Sequence, residues 1–275
     1  MARPCLHFKR INQKSGFGRM QFNHPIIDLE AWLEQPAGAY IRAWEQAQLD
    51  ILTADIFGFN ALQIGLPQIR ALAASRMPHK WVSTDILVTS RAGTDAVQVV
   101  HEFTELPFAT QSIDLVVLPH VLEFASEPHQ ILREVDRVLI PEGRLIICGF
   151  NNASLWGARQ LFGRLSNHPY LPEEGEFISL MRLKDWLKLL SMEVSPAVFG
   201  CYAPPLRTEQ WFERFSFMEK AGERWWPYLG AVYMLQAVKR VRGMHLIGPA
   251  LKAKRVPRGN AVPVTNANAN THLNK

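Results

Sequence analysis

The chain has 275 residues, of which 48% are hydrophobic and 20% are charged. This length predicts one or two domains with a buried core, and the composition excludes a wholly disordered chain. The three cysteines form no CxxC pair, which argues against a disulfide framework or a zinc knuckle and favours a reducing compartment. We find neither a signal-peptide pattern nor an apolar stretch long enough to span a bilayer, so we expect a cytoplasmic protein.

The net charge of +5 is unevenly distributed. Residues 225–275 contain eight Lys or Arg and no Asp or Glu. We expect 1–24 to be loosely ordered and 246–275 to form a basic, disordered tail. The tail is either simply solvated or contacts an anionic partner such as RNA, DNA or a lipid surface.

The hydrophobic pattern predicts an α/β domain over 25–245. Amphipathic helical spacing covers 36–56, and five short apolar strands follow at 60–65, 80–85, 96–101, 113–118 and 144–148. Helices are expected at 68–75 and 126–139, with a turn at 141–143. Apolar strands that alternate with helices indicate a Rossmann-like, doubly wound and mostly parallel sheet.

The rest of this domain is less regular. We predict a helix at 182–191, a strand at 193–199 and a final, antiparallel strand at 230–239. Between these strands, 200–227 reads as a helical insertion rich in aromatic residues. Its aromatic side chains could line an acceptor pocket, form the core of the added helix or face a membrane.

Ligands of open α/β sheets bind beyond the carboxyl ends of the strands, so the residues that follow each strand are the candidates. Asp85 ends the second strand about 20 residues after Gly65, the spacing at which an acid accepts hydrogen bonds from ribose hydroxyls. NAD-dependent enzymes share this pattern, and an acid at that place can also be a helix cap.

A run of motifs between 105 and 151 is more specific. It comprises Leu106-Pro-Phe108, Ser112-Ile-Asp114, His120-Val-Leu-Glu123, Leu132-Arg-Glu134 and Leu139-Ile-Pro-Glu-Gly-Arg144. In this order and spacing, they resemble the type 11 family of class I methyltransferases that depend on S-adenosylmethionine (SAM).

The resemblance implies SAM as cofactor and assigns roles to individual positions. It makes Gly65 the first glycine of the cofactor loop, Asp85 the ribose acid and Glu102 the acceptor for the adenine amino group. Pro119 and His120 fall on the loop near the methionine part of SAM.

The first loop departs from the family pattern Asp-x-Gly-x-Gly-x-Gly. It reads Gln63-Ile-Gly65-Leu-Pro67-Gln-Ile69, so an amide replaces the leading acid and a single glycine remains. The Gln63 amide can still hydrogen-bond the amino-acid end of SAM. A relative that binds the cofactor weakly, or without catalysis, is therefore an alternative.

Methyl transfer from SAM is a direct displacement that depends on alignment, and a base is needed only if the acceptor must lose a proton. His120 is the candidate base, or else it packs and hydrogen-bonds the loop. Asn151, Trp156 and Tyr202 fall on the acceptor side, although Asn151 could equally cap a helix. No His, Cys or acidic residues have metal-ligand spacing.

We therefore expect a SAM-dependent methyltransferase that acts on a small-molecule or lipid-like acceptor. The alternatives are a non-catalytic methyltransferase-like binding protein and an RNA-associated methyltransferase, which the basic tail would suit.

Overall fold

The computed structural model describes residues 25–84, 96–165, 170–172, 175–206 and 208–240. Asp85, the predicted loose N-terminus at 1–24 and the predicted basic tail at 246–275 lie outside the described residues. Within these ranges, no helix combines the length and the apolar character needed to cross a membrane.

The described residues form eight α-helices, one short 3₁₀ helix and eight strands. The helices are α1 (Pro25–Leu33), α2 (Pro36–Ala54), α3 (Val121–Phe124), α4 (Pro128–Val138), α5 (Leu155–Leu165), α6 (Leu180–Leu189), α7 (Glu209–Arg214), α8 (Phe217–Trp225) and the 3₁₀ helix (Pro227–Leu229). The strands are β1 (Asn60–Ile64), β2 (His79–Thr84), β3 (Val97–Val100), β4 (Ile113–Pro119), β5 (Leu139–Phe150), β6 (Met192–Val194), β7 (Val198–Gly200) and β8 (Val232–Lys239).

The strands build one sheet in the order β3-β2-β1-β4-β5-β8-β6, with β7 also paired to β8. The first five strands pair in parallel, and β8 runs antiparallel to β5, β6 and β7. The strand order reverses between β1 and β4, as it does in doubly wound folds. The predicted Rossmann-like sheet with an antiparallel last strand and N-terminal helices is confirmed.

The sheet centre is buried on both faces because its strands are apolar throughout. The side chains of β4 from Leu115 to Pro119 are all buried, as are those of β5 from Leu145 to Phe150. Helix α4 covers this region with one apolar face, formed by Ile131, Leu132, Val135 and Val138. This arrangement fixes the carboxyl ends of β1, β4 and β5 along one edge of the sheet.

Three local predictions need correction. Residues 68–75 form turns, not a helix, because the side chain of Gln63 hydrogen-bonds carbonyls that a helix would use. The predicted strand at 193–199 is two short strands, β6 and β7. The turn at 141–143 lies inside a single strand, β5, where the pairing with β4 is irregular and shifts from Ile113–Leu139 to Leu115–Arg144.

Candidate active site

The loop after β1 is tightly folded around Gly65. This glycine has a φ of +74°, and its N–H donates to the Ser83 carbonyl at 2.7 Å. A Cβ at position 65 would lie 2.7 Å from Cγ2 of Val121, the residue that follows His120. Only glycine therefore satisfies both the left-handed backbone and this close contact between the β1 and β4 loops.

The Gln63 side chain holds the same loop from inside. Its Nε2 lies within hydrogen-bond distance of the carbonyls of Gly65, Leu66 and Ile69, at 3.1, 2.9 and 2.7 Å. Its Oε1 accepts from the N–H of Ala71 at 3.1 Å. The amide that the sequence suggested for the amino-acid end of SAM is thus engaged within its own loop.

The predicted adenine side lies beside β2 and β3. The Ser83 hydroxyl and Nε2 of His101 are 2.7 Å apart, and Nδ1 of His101 lies 2.7 Å from the Glu102 carbonyl oxygen. The Glu102 side chain is exposed, while Phe103 is buried and its ring lies within 4.0 Å of the Cβ position at Gly65. Glu102 therefore stays a prediction for adenine binding.

A buried cluster of three ionisable side chains occupies the carboxyl end of β4. His120 follows the buried Pro119 and is itself wholly buried, with its Nε2 2.7 Å from Oε1 of Glu45 and its Nδ1 3.0 Å from Oε2 of Glu123. The second oxygen of Glu123 accepts from the N–H of Phe150 at 2.7 Å. The cluster thus ties α2, the β4 loop and the end of β5 together.

The two carboxylates keep the His120 imidazole protonated. Burial alone would lower its pKa, but Glu45 and Glu123 raise it from 6.5 to about 10. Burial raises the pKa of Glu123 and, together with the nearby Glu45, that of the Cys148 thiol. An imidazolium with both nitrogens bonded has no site to accept a proton, so this geometry does not fit His120 as a general base.

The three predicted acceptor-side residues hold the fold together. Asn151 donates to the carbonyls of Tyr228 and Gly230 at 2.8 and 2.9 Å, and it accepts from the N–H of Ala153 at 3.1 Å. The buried Trp156 donates from Nε1 to the Ala203 carbonyl at 2.7 Å. A direct contact between either side chain and an acceptor stays a prediction.

Tyr202 likewise holds the fold together, at the start of the insertion just after β7. Its hydroxyl donates to the Pro227 carbonyl at 2.8 Å, and its ring packs against Gly222 of α8 so closely that a Cβ there would lie 2.2 Å away. Burial raises its pKa to about 12. It therefore anchors α8 and the 3₁₀ helix at the carboxyl edge of the sheet.

The insertion leaves large apolar side chains exposed. We call them the aromatic surface, and they are Trp211, Phe217, Trp225, Trp226, Tyr228 and Leu229. The Trp225 and Trp226 rings contact each other with centroids 6.3 Å apart. Because Asn151 and Tyr202 bond the 3₁₀ helix next to the end of β5, the part of this surface around Tyr228 lies at the same edge of the sheet as His120.

Glu45 is not among the residues that the sequence predicts for the site. The buried positions of α2 recur every fourth residue at Ala37, Ile41, Glu45, Leu49 and Thr53. A glutamate in the middle of such a stripe is the available signal, since an acid is rarely buried without a partner. Among the described residues, no group of three or more His, Cys, Asp or Glu side chains is arranged to hold a metal ion.

Comparison with known proteins agrees with this picture. Residues 69–147 match a family model described as "Methyltransferase domain". The chain resembles the structure of a putative methyltransferase from a Haloferax volcanii complex with the Trm112 methyltransferase activator, with a TM-score of 0.55 and 16% identity. That alignment covers 80% of this chain and 99% of the other. The fold and the motifs at its carboxyl edge define a class I SAM-dependent methyltransferase.

One sequence relative matches most of the chain. The chain is 32% identical over 235 residues to "Uncharacterized protein YafS" of Escherichia coli (strain K12), covering 85% of this chain and 90% of that protein. It belongs to the same family as that protein.

Two shorter matches name enzymes. One is 44% identical over 61 residues to demethylmenaquinone methyltransferase of Clavibacter sepedonicus, covering 22% of this chain and 25% of that enzyme. The other is 29% identical over 108 residues to malonyl-[acyl-carrier protein] O-methyltransferase 1 of Coxiella burnetii, covering 38% of each chain.

Proposed function

We propose that this methyltransferase acts on a lipid-like acceptor that docks against the aromatic surface. The observation that supports this proposal is the exposure of that surface beside the carboxyl edge of the sheet, where Trp225 is 70% and Tyr228 is 72% exposed. Exposed Trp and Tyr side chains suit an amphiphilic partner, because each ring has an apolar body and a polar tip.

The chemistry of the β4 edge fits SAM. One oxygen of the buried Glu45 carboxylate has no hydrogen-bond partner, and two carboxyl groups share a single imidazolium. Such a site favours a ligand that carries positive charge and N–H donors, and SAM has both a sulfonium and an ammonium group. The two touching loops, at Gly65 and after β4, would line one side of the cofactor site, while Glu102 is the proposed adenine acceptor and Asp85 the proposed ribose acid.

When bound, SAM supplies an electrophilic methyl group. The task left to the protein is to place the acceptor atom in line with that methyl group and to exclude water. His120 and Tyr202 hold their protons at neutral pH, since their pKa values are about 10 and about 12. We therefore propose an acceptor atom that is nucleophilic without a base from these residues, such as an ionised oxygen or an enolate carbon.

The named relatives provide probes for the acceptor class. One acts on demethylmenaquinone and the other on malonyl-[acyl-carrier protein]. The protein should be incubated with methyl-labelled SAM and either a dispersed membrane-lipid extract, demethylmenaquinone, a malonyl carrier protein or bulk RNA. We expect the label to enter the organic phase with the lipid extract. Transfer of label only to carrier protein or RNA would overturn the proposal.

A pair of variants tests whether the aromatic surface does the docking. The double variant Trp225→Ser/Trp226→Ser should lower the initial rate on dispersed lipid by about tenfold, because two large apolar contacts are lost. Phe57→Ser is the matched control, because Phe57 is 76% exposed and lies before β1, at the opposite edge of the sheet. Equal rates for both variants, at unchanged SAM affinity, would contradict docking at this surface.

A further inference from the structure

The Glu45 carboxylate is only half satisfied. Its side chain is wholly buried, Oε1 bonds Nε2 of His120 at 2.7 Å, and Oε2 has no hydrogen-bond partner. A buried carboxylate oxygen without a donor is destabilising, because it loses the hydrogen bonds that water gives it in the unfolded chain. Its persistence on a stripe that is otherwise apolar or small points to a donor that arrives with a ligand.

Helix α2 places Glu45 against the β4 loop and its neighbour Gln46 against the β1 loop. The neighbouring Gln46 side chain bonds both main-chain groups of Arg70 in the β1 loop, each at 3.0 Å. Glu45 itself bonds His120 of the β4 loop, and the two loops touch where Gly65 meets Val121. Consecutive residues of α2 therefore contact both loops that the methyltransferase resemblance assigns to SAM.

The β1 loop has no acid at its leading position. The family pattern places an Asp there, whereas this chain has Gln63, whose amide is engaged by the carbonyls and the N–H of the loop itself. Unlike a carboxylate, a neutral amide offers no charge to balance an ammonium group. A carboxylate that balances the cationic end of SAM would therefore have to come from another element.

We propose that Oε2 of Glu45 accepts a hydrogen bond from the α-ammonium group of SAM, so that helix α2 supplies the acid missing from position 63. This inference rests on the proposed cofactor site. The ammonium group fits better than the sulfonium because it has N–H donors for the unpartnered oxygen. The ammonium group would also bring a second positive charge to a cluster in which two carboxyl groups share one imidazolium.

Binding measurements with two neutral-sulfur ligands test the assignment. S-adenosylhomocysteine retains the ammonium group, whereas 5′-methylthioadenosine lacks the whole amino-acid part. In calorimetric titrations, Glu45→Gln should raise the dissociation constant of S-adenosylhomocysteine by about tenfold or more, since a buried charge-assisted hydrogen bond is lost. The affinity for 5′-methylthioadenosine should change by less than about twofold. Asp55→Asn removes an exposed acid at the end of the same helix and should leave both affinities unchanged.

The alternative outcomes are distinct. Equal losses for both ligands would mean that Glu45 acts only through the fold, and no loss for either would mean that a water molecule satisfies Oε2; both results overturn the inference. If the wild-type protein binds neither ligand, the proposed cofactor site itself fails. If Glu45→Gln does not fold, as judged by circular dichroism, Glu45→Asp retains the charge and retracts the carboxylate by one methylene. That variant must show the same selective loss of S-adenosylhomocysteine.

Discussion

Replacing His120 by Gln should abolish a pH-dependent part of the protein's stability. The pKa of His120 is about 10 in the fold and 6.5 as the ordinary value, so the native state retains a proton that the unfolded chain releases between these pH values. The stabilisation is complete below pH 6.5 and is lost as the pH rises towards 10. From these two values, the wild-type free energy of unfolding should fall by about 3 kcal/mol between about pH 7 and about pH 9.5.

The His120→Gln variant should behave differently at both pH values. Near pH 7 it should lose about 3–5 kcal/mol, because Glu45 and Glu123 remain buried without a cation. From there to about pH 9.5 it should lack the additional decline. Urea titrations followed by tryptophan fluorescence measure both quantities. Groups that the substitution does not touch, such as Tyr202, contribute equally to both proteins, so the difference between the two proteins reports on the His120 cluster.

Two results would refute this reasoning about the cluster. One is a His120→Gln variant within about 1 kcal/mol of wild type near neutral pH, which would mean that the buried carboxylates tolerate the loss of the imidazolium. The other is a wild-type protein whose stability does not fall between about pH 7 and about pH 9.5, which would mean that His120 is not protonated in the fold.

Two further substitutions test the loops around the site. Gly65→Ala should destabilise the fold by about 1–2 kcal/mol and weaken S-adenosylhomocysteine binding, because φ is +74° and the new Cβ would clash with Val121. Thermal melts measure the first effect and calorimetry the second. Near wild-type stability and affinity would contradict this role of Gly65. Asn151→Ala should destabilise by about 1–3 kcal/mol and speed amide exchange in the loop before β8. Asn152→Ala, which removes one exposed hydrogen bond to the Phe177 carbonyl, should destabilise by less than about 1 kcal/mol and leave that exchange unchanged. If Asn151→Ala instead lowers activity at unchanged stability, the residue contacts the acceptor.

Most of the sheet is predictable from sequence because its strands are short apolar runs separated by turn residues. The motifs from Leu106 to Arg144 also fix where each element begins along the chain, because several short matches in a fixed order constrain one another's positions. The loop after β1 was not predictable in the same way. Residues 68–75 have helix-compatible composition, but the non-local hydrogen bonds of Gln63 decide their conformation.

The sequence predicts which residues lie at the carboxyl edge of the sheet, but not their contacts. Residues that follow strands, such as Gly65, His120 and Asn151, do lie at the carboxyl edge of the sheet. Their roles depend on partners distant in sequence: Glu45 lies 75 residues before His120, and Tyr228 lies 77 residues after Asn151. Local patterns contain no information about such pairs. The single acid in the buried stripe of α2 was the available hint.

Backbone conformation also distinguishes the carboxyl edge of the sheet, where we place the functional site. Non-glycine residues with positive φ occur there at Leu66, His120 and Cys201, with values of 40°, 52° and 63°. Each follows the carboxyl end of a strand, whereas other left-handed residues such as Gln111 and Ser191 precede strands at turns. Left-handed residues of this kind cost about 1–3 kcal/mol each and persist only where their surroundings fix them. At His120 these surroundings are the carboxyl groups of Glu45 and Glu123. The ion cluster therefore holds the left-handed backbone of the β4 loop in place.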